Sequence, residues 1–261
     1  MQPIKSAQNP GFQKMLSLAK AAKARQTEQL FLAEGPHLAA EAIQHGLAQQ
    51  VWATPEALAS EEASDLTRQA AQAKVPVGEM AASLLDRLCD TRQPQGWVSI
   101  VRRPVIKGAD LSLWLALDAL QDPGNMGTLL RCAWASKAGV IVGPGSTDPW
   151  APKVLRSAAG AHFAVPIQES SDLVSSLKQF KAAGYKLSAA DPRGTLSHTK
   201  ALWTQPTVLV LGAEGAGLSP EALTVCDERV KIEYPGGAES LNAAISGALL
   251  LFEALRQRSN N

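Results

Sequence analysis

The sequence predicts an α/β protein built mainly on a parallel sheet covered on both faces. Three observations carry this. Short apolar runs alternate with helix-period segments along nearly the whole chain. The run 113–120 is almost continuously apolar, the mark of a strand buried on both faces. The C-terminal segment sets Leu241, Ile245, Leu249, Phe252 and Leu255 at spacings of three and four, predicting a helix whose apolar stripe faces a core.

The elements follow in order. Residues 9–24 read as a helix, with Met15, Leu16, Leu18, Ala19 and Ala22 near one face. A strand over 30–33 ends at Glu34-Gly35. A helix over 36–45 begins with Pro36, which suits a first turn, and stops at Gly46. Residues 50–53 read as a strand, 55–74 and 80–88 as helices, and 97–101 as a strand. Arg103-Pro104 marks a break, because proline leaves a sheet ladder and pushes its predecessor out of helix. This divides the chain into a smaller α/β domain over 1–104, a linker over 105–111 and a second α/β domain over 112–261, each with its own core. The second domain alternates strand 113–120, helix 126–137, strand 140–142, helix 152–159, strand 163–167, helix 172–183 and strand 186–189. Strands over 208–211 and 229–232 precede the last helix.

Composition narrows the chemistry. The chain has 261 residues, 46% hydrophobic and 19% charged, which excludes wholesale disorder. Three distant cysteines form neither a CxxC pair nor a cluster with histidine, which excludes a zinc site, and no metal is expected. No apolar run suits a membrane span or a signal segment, so a reduced, cytoplasmic protein without membrane contact is the expectation. The net charge is +1, but Lys5, Lys14, Lys20, Lys23 and Arg25 all precede the first acid, Glu28. Such a basic start suits phosphate contacts, and equally a solvated helix face.

Three loops, each after a buried strand, are rich in glycine, proline and asparagine. In open α/β sheets ligands gather at such places. They are 121–127, leading into a helix with Arg131, then 211–218, and then 232–242. The second loop runs G-x-x-G-x-G, the reverse of the dinucleotide pattern, and no acid lies at the distance expected to hold a ribose. Phosphate-loop and nucleophile-elbow patterns are missing, and no histidine sits beside an obvious nucleophile. Gly212, Gly215, Gly217, Gly236 and Gly237 suit close backbone approach to a ligand, and Gly236-Gly237 suits a tight turn as well. Ser240 and Asn125 are equally readable as helix caps. Cys132 reads as a small core residue.

Taken together, Asn125-x-Gly127…Arg131, Gly212-x-Glu214-x-x-Gly217 and the stretch from Pro235 to Asn242 resemble the SpoU (TrmH-like) branch of the SPOUT RNA methyltransferases. Pro152 to Ala161 looks like that family's segment after its second strand. The resemblance covers about 113–256. It implies a trefoil-knotted methyltransferase domain that acts as a homodimer and binds S-adenosylmethionine through Leu211, Gly212, Glu214, Gly217, Ile232, Ser240, Leu241 and Asn242. It implies methylation of a ribose 2′-hydroxyl, with Arg131, Asn125, Glu214, Ser240 and Asn242 as the catalytic set. A guanidinium stays protonated, so Arg131 is expected to hold a phosphate and the 2′-oxygen rather than act as a base. The stretches 4–10 and 31–42 resemble the family's L30e-like RNA-binding domain. That favours large-subunit ribosomal RNA over tRNA, with Lys5, Lys14, Lys20, Lys23, Arg25 and Arg156 as candidate RNA contacts. A catalytically silent RNA-binding assembly factor is the alternative from another class.

Overall fold

The computed structural model describes residues 1–259; Asn260 and Asn261 lie outside the described range. In chain order its elements are α1 (Pro10–Lys20), α2 (Ala22–Glu28), β1 (Leu30–Glu34), α3 (Pro36–Gln44), β2 (Ala48–Ala53), α4 (Pro55–Leu58), α5 (Glu61–Gln72), β3 (Val77–Glu79), α6 (Ala82–Leu85) and β4 (Trp97–Arg102). There follow β5 (Leu113–Asp118), α7 (Pro123–Ser136), β6 (Gly139–Val142), α8 (Pro152–Ala158), β7 (Ile167–Glu169), α9 (Leu173–Ala182), β8 (Lys186–Ala190), β9 (Leu196–Ser197), β10 (Thr207–Gly212), α10 (Pro220–Val225), β11 (Glu228–Lys231) and α11 (Ala243–Ser259). They form two compact units. One holds Met1–Val105 with Trp150–Phe163, and the other Ile106–Pro149 with everything from Ala164 onward.

The first unit has a four-stranded sheet in the order β1-β4-β2-β3, antiparallel except for the β2–β3 pair. Phe12, Met15, Leu18, Leu32, Trp52, Met80 and Leu85 fill one core, and Ile43, Val51, Leu66 and Trp97 another. The helix expected over 9–24 is broken. Asn9 caps α1 by accepting from the Gly11 and Phe12 amides, and Ala21 turns to extended backbone before α2 begins. Arg25 explains the break and corrects its expected role as an RNA contact. It is buried, and its Nη1 donates to the carbonyls of Leu18 (2.6 Å) and Ala19 (3.2 Å), satisfying the open end of α1. Lys5, Lys14, Lys20 and Lys23 are exposed, with Lys14 paired to Glu28 at 2.6 Å.

Segment 150–163, which sequence order places in the second domain, packs in this unit. Phe31 on β1 meets Trp150 and Phe163 with ring centroids 5.4 and 6.3 Å apart, and the Arg103 guanidinium lies 5.0 Å over the Trp150 ring. Arg156 on α8, expected as an RNA contact, is half-buried and ion-paired within the protein. It pairs with Asp90 at 2.9 Å and Glu34 at 3.4 Å. The strand expected over 163–167 is a 3-10 turn at Ala161–Phe163 followed by β7.

The second unit is a seven-stranded sheet in the order β7-β6-β5-β10-β8-β11-β9, and every pairing in it is parallel. The central strands β5 and β10 are buried along their whole lengths, as the continuous apolar runs require. On one face Trp114, Ile141, Leu177, Leu187 and Val210 form the core. On the other, α7 and α11 pack together. Gly247 permits that closeness, since a Cβ there would lie 2.4 Å from Leu129 Cδ2. The apolar stripe expected to face a core instead faces outward. Leu241, Ile245, Leu249 and Phe252 are exposed, and Leu255 is only half-buried. The residues of α11 that meet the core are mostly small (Ala243, Ala244, Gly247 and Ala254, with Leu250 and Leu251), because a close helix contact selects small side chains. Among the described residues no helix is long and apolar enough to cross a membrane.

Candidate active site

The three loops singled out in the sequence leave the C-terminal edge of the parallel sheet and meet there. Asp122, not Asn125, caps α7, accepting from the Asn125 amide at 2.7 Å. That frees the Asn125 side chain. Its Nδ2 donates to the Glu214 carboxylate, and its Oδ1 accepts from Asn242 Nδ2 at 3.0 Å. Asn242 Oδ1 in turn accepts from the Ala244 amide (2.9 Å) and the Ile245 amide (3.3 Å), so Asn242 caps α11 and Ser240 does not. One hydrogen-bonded chain therefore joins all three loops and the starts of two helices. An amide can serve as donor to one loop and acceptor from another, which a carboxylate at position 125 cannot do.

The middle loop is held at both ends. Ala213 and Gly217 exchange backbone hydrogen bonds of 3.1 and 2.9 Å. Asp118, at the end of β5, accepts from the Ser219 amide (2.8 Å) and hydroxyl (2.7 Å) through Oδ2. Gly212 is required by crowding, since a Cβ there would lie 2.2 Å from the Gly217 carbonyl carbon. Gly215 is required by conformation, at φ +79°.

Between the loops lies a cavity of about 430 Å³, within the usual range for small-ligand sites. Leu211, Gly212, Glu214, Gly217, Ile232, Ser240, Leu241 and Asn242 all line it, as does Gly215. Asn125 reaches it only through Glu214 and Asn242. Arg131 does not line it. It is exposed on α7 and has no hydrogen bond or ion pair among the described residues. The neighbouring Cys132 is half-buried, and that burial raises its thiol above the ordinary value against the opposing charge of Arg131, unlike an activated nucleophile. Asp191, Tyr234, Ser246 and Leu250 also line the cavity and were not singled out in the sequence. Asp191 had a signal of a kind, for it directly follows a strand of the parallel sheet.

A parallel sheet whose C-terminal edge carries one glycine-lined cavity defines a protein that holds a small ligand largely by backbone. The chain belongs to the SpoU rRNA Methylase family, which it matches over residues 112–252, and residues 9–99 match the MRM3-like substrate binding domain. It is 30% identical to 23S rRNA (guanosine(2553)-2'-O)-methyltransferase RlmP of Bacillus subtilis, over 97% of this chain and 98% of that one. It is similar to the SpoU methyltransferase AviRb of Streptomyces viridochromogenes, solved in complex with the cofactor AdoMet. There the TM-score is 0.84 at 30% identity, covering 97% of this chain and all of that one. The A. aeolicus TrmH/SpoU tRNA modifying enzyme matches only 57% of this chain and 76% of its own, with a TM-score of 0.52 at 27% identity.

Proposed function

We propose that the chain is an S-adenosylmethionine-dependent methyltransferase that modifies a ribose 2′-hydroxyl in large-subunit ribosomal RNA, as a homodimer in the cytoplasm. The observation that carries this is the cavity: every loop of the family pattern lines it or is bonded to its wall. The residues fit the cofactor. Leu211, Ile232 and Leu241 offer apolar surface to an adenine, and the glycine loop offers backbone groups to the polar parts. The preference for ribosomal RNA over tRNA rests on full-length similarity to a ribosomal RNA enzyme, against about half the chain for the tRNA enzyme.

The chemistry supplied with the cofactor is an electrophilic methyl group on a sulfonium sulfur. The protein's task is to place the 2′-oxygen in line with it and to stabilise charge as the oxygen loses its proton. Arg131 takes that role with its planar fork of donors. Its absence from this chain's own cavity favours a site completed by a second copy, in which Arg131 of one chain serves the cavity of the other. The outward apolar stripe on α11, with the exposed Trp134 on α7, is the face that would join the two. Asn125, Glu214 and Asn242 act by holding the loops in register, and Ser240 acts from the cavity wall. Lys5, Lys14, Lys20 and Lys23 make the first unit the RNA-holding domain, over about 1–104, with the catalytic domain over 112–261. A trefoil knot in the second unit is the reading that membership of the family supports.

The test is mapping of 2′-O-methyl groups in RNA from cells with and without the gene. One ribosomal position should lose its methyl group and regain it with the purified protein and cofactor. Loss at a tRNA position instead would overturn the choice of substrate, and no change in any RNA would favour a silent binding protein.

A further inference from the structure

The cavity contains a charged residue that neither the family pattern nor the proposed chemistry uses. Asp191 lines the cavity directly after β8, yet it is only 5% exposed. Its position is tightly fixed. The Asp191 amide donates to Val230 at 3.0 Å, the Gly194 amide returns to the Asp191 carbonyl at 2.8 Å, and a Cβ on Gly194 would lie 2.6 Å from the Arg229 carbonyl oxygen. One carboxylate oxygen is served, since Oδ1 accepts from Arg193 N (3.0 Å) and Nε (3.2 Å). The other is not. Oδ2 is buried with no hydrogen-bond donor among the described residues; it has an ion pair with Arg229 Nη1 at 3.7 Å, beyond hydrogen-bond reach. A buried carboxylate oxygen without a hydrogen-bond donor is costly, and such a group in a native protein calls for a completing partner, of which a ligand is one kind.

We propose that Asp191 accepts a hydrogen bond from the adenosine half of the bound cofactor; this rests on the cofactor reading above. Two facts choose that half. The amino-acid half carries its own carboxylate, whose repulsion by a buried anion offsets the attraction of the neighbouring ammonium. The cavity residues nearest in sequence to Asp191 and to its partner Val230 are apolar or backbone-lined (Ala190, Pro192, Ile232), which suits a nucleoside. The available donors there are the ribose hydroxyls and the adenine 6-amino group. A hydrogen bond to an ionised carboxylate is stronger than a neutral one. Asp191→Asn keeps the shape and leaves an acceptor for the Arg193 amide, so the unliganded fold should survive, which a thermal melt checks.

The experiment is calorimetric binding, without RNA or turnover, of S-adenosylhomocysteine and of 5′-methylthioadenosine, which lacks the amino-acid half. Asp191→Asn should weaken both by on the order of tenfold. With the wild-type protein, one among the 2′-deoxy, 3′-deoxy and 6-deamino forms of methylthioadenosine should lose a similar factor. That form should then bind the variant no worse than the variant binds its parent. The proposal is overturned if the variant binds methylthioadenosine as the wild type does, or if the wild type binds all three altered forms like the parent. The second arm needs no variant, so misfolding of Asp191→Asn does not protect the idea. Failure of wild-type protein to bind S-adenosylhomocysteine at all would instead sink the cofactor reading.

Discussion

Arg131 projects from the middle of α7 into solvent, six residues beyond Asn125 and so about 9 Å further along the helix. Its distance from the bonded Asn125–Glu214–Asn242 chain separates two kinds of defect. Arg131→Ala should lower the methyl-transfer rate by about 10²-fold or more, as loss of one transition-state donor does, while calorimetric cofactor affinity stays within about twofold. Arg131→Lys keeps the charge but not the fork, so it should restore only a small part of the rate. Recovery of most of the rate by lysine would show that charge alone suffices. Asn125→Ala should behave oppositely. It removes a shared bond between loops, so cofactor affinity should fall by about fivefold, the worth of a typical hydrogen bond, with the free protein slightly less stable. At this scale the sequence identified nearly every cavity residue of the glycine loops, because backbone-lined loops advertise themselves through glycine and proline. It misjudged Arg25, since a basic residue that caps a helix end looks in sequence like one left free for phosphate.

Among the elements, β10 with its loop is the most constrained. Gly212→Ala would drive a Cβ into the backbone of Gly217 and Leu218, where no side chain can yield. The expected loss is about 4 kcal/mol or more, read as insoluble protein or a melting temperature lowered by about 8–16 °C or more. Gly215→Ala meets no atom within 4 Å and suffers only from its positive φ. It should lose about 1–2 kcal/mol, and thermal melts of the two variants measure the contrast. Similar losses would mean that crowding at Gly212 is relieved by loop movement. The central strands were legible from their unbroken apolar runs. The breaks at Ala21 and between α4 and α5, the two-residue β9 and the short α10 were not, because each depends on a cap or a neighbour rather than on local periodicity. The direction of the α11 stripe was misread for a related reason. Periodicity marks a face as apolar without saying whether the surface it covers belongs to the same chain.

For the molecule as a whole, that outward stripe predicts the assembly. Replacing Ile245 and Phe252 together with aspartate should convert a dimer into a monomer by light scattering, with methyl transfer lost and the melting temperature lowered. A monomeric wild type with full activity would remove both the dimer and the shared site. Arg103-Pro104 stands just before the point, Val105, where the chain first leaves the first unit, whereas nothing in the sequence marks the return of residues 150–163 to it. That return depends on Trp150 and Phe163 meeting Phe31, more than a hundred positions away. A fragment beginning at Ile106 would carry those aromatic residues without their partners. It should bind a hydrophobic dye and aggregate, and polar replacements at Trp150 and Phe163 should reduce both.

The shared ownership of 150–163 also sets a timetable for synthesis. A ribosome that has just finished Val105 has made only part of the first unit, since the aromatic wedge that covers Phe31 is not yet written. At about 5–20 residues per second the nascent chain waits roughly three to twelve seconds before Phe163 is joined. Throughout that interval β1 keeps an uncovered apolar face outside the exit tunnel, open to chaperones and to other emerging chains. Slow codons between Val105 and Trp150 would lengthen the exposure, and fast ones would shorten it.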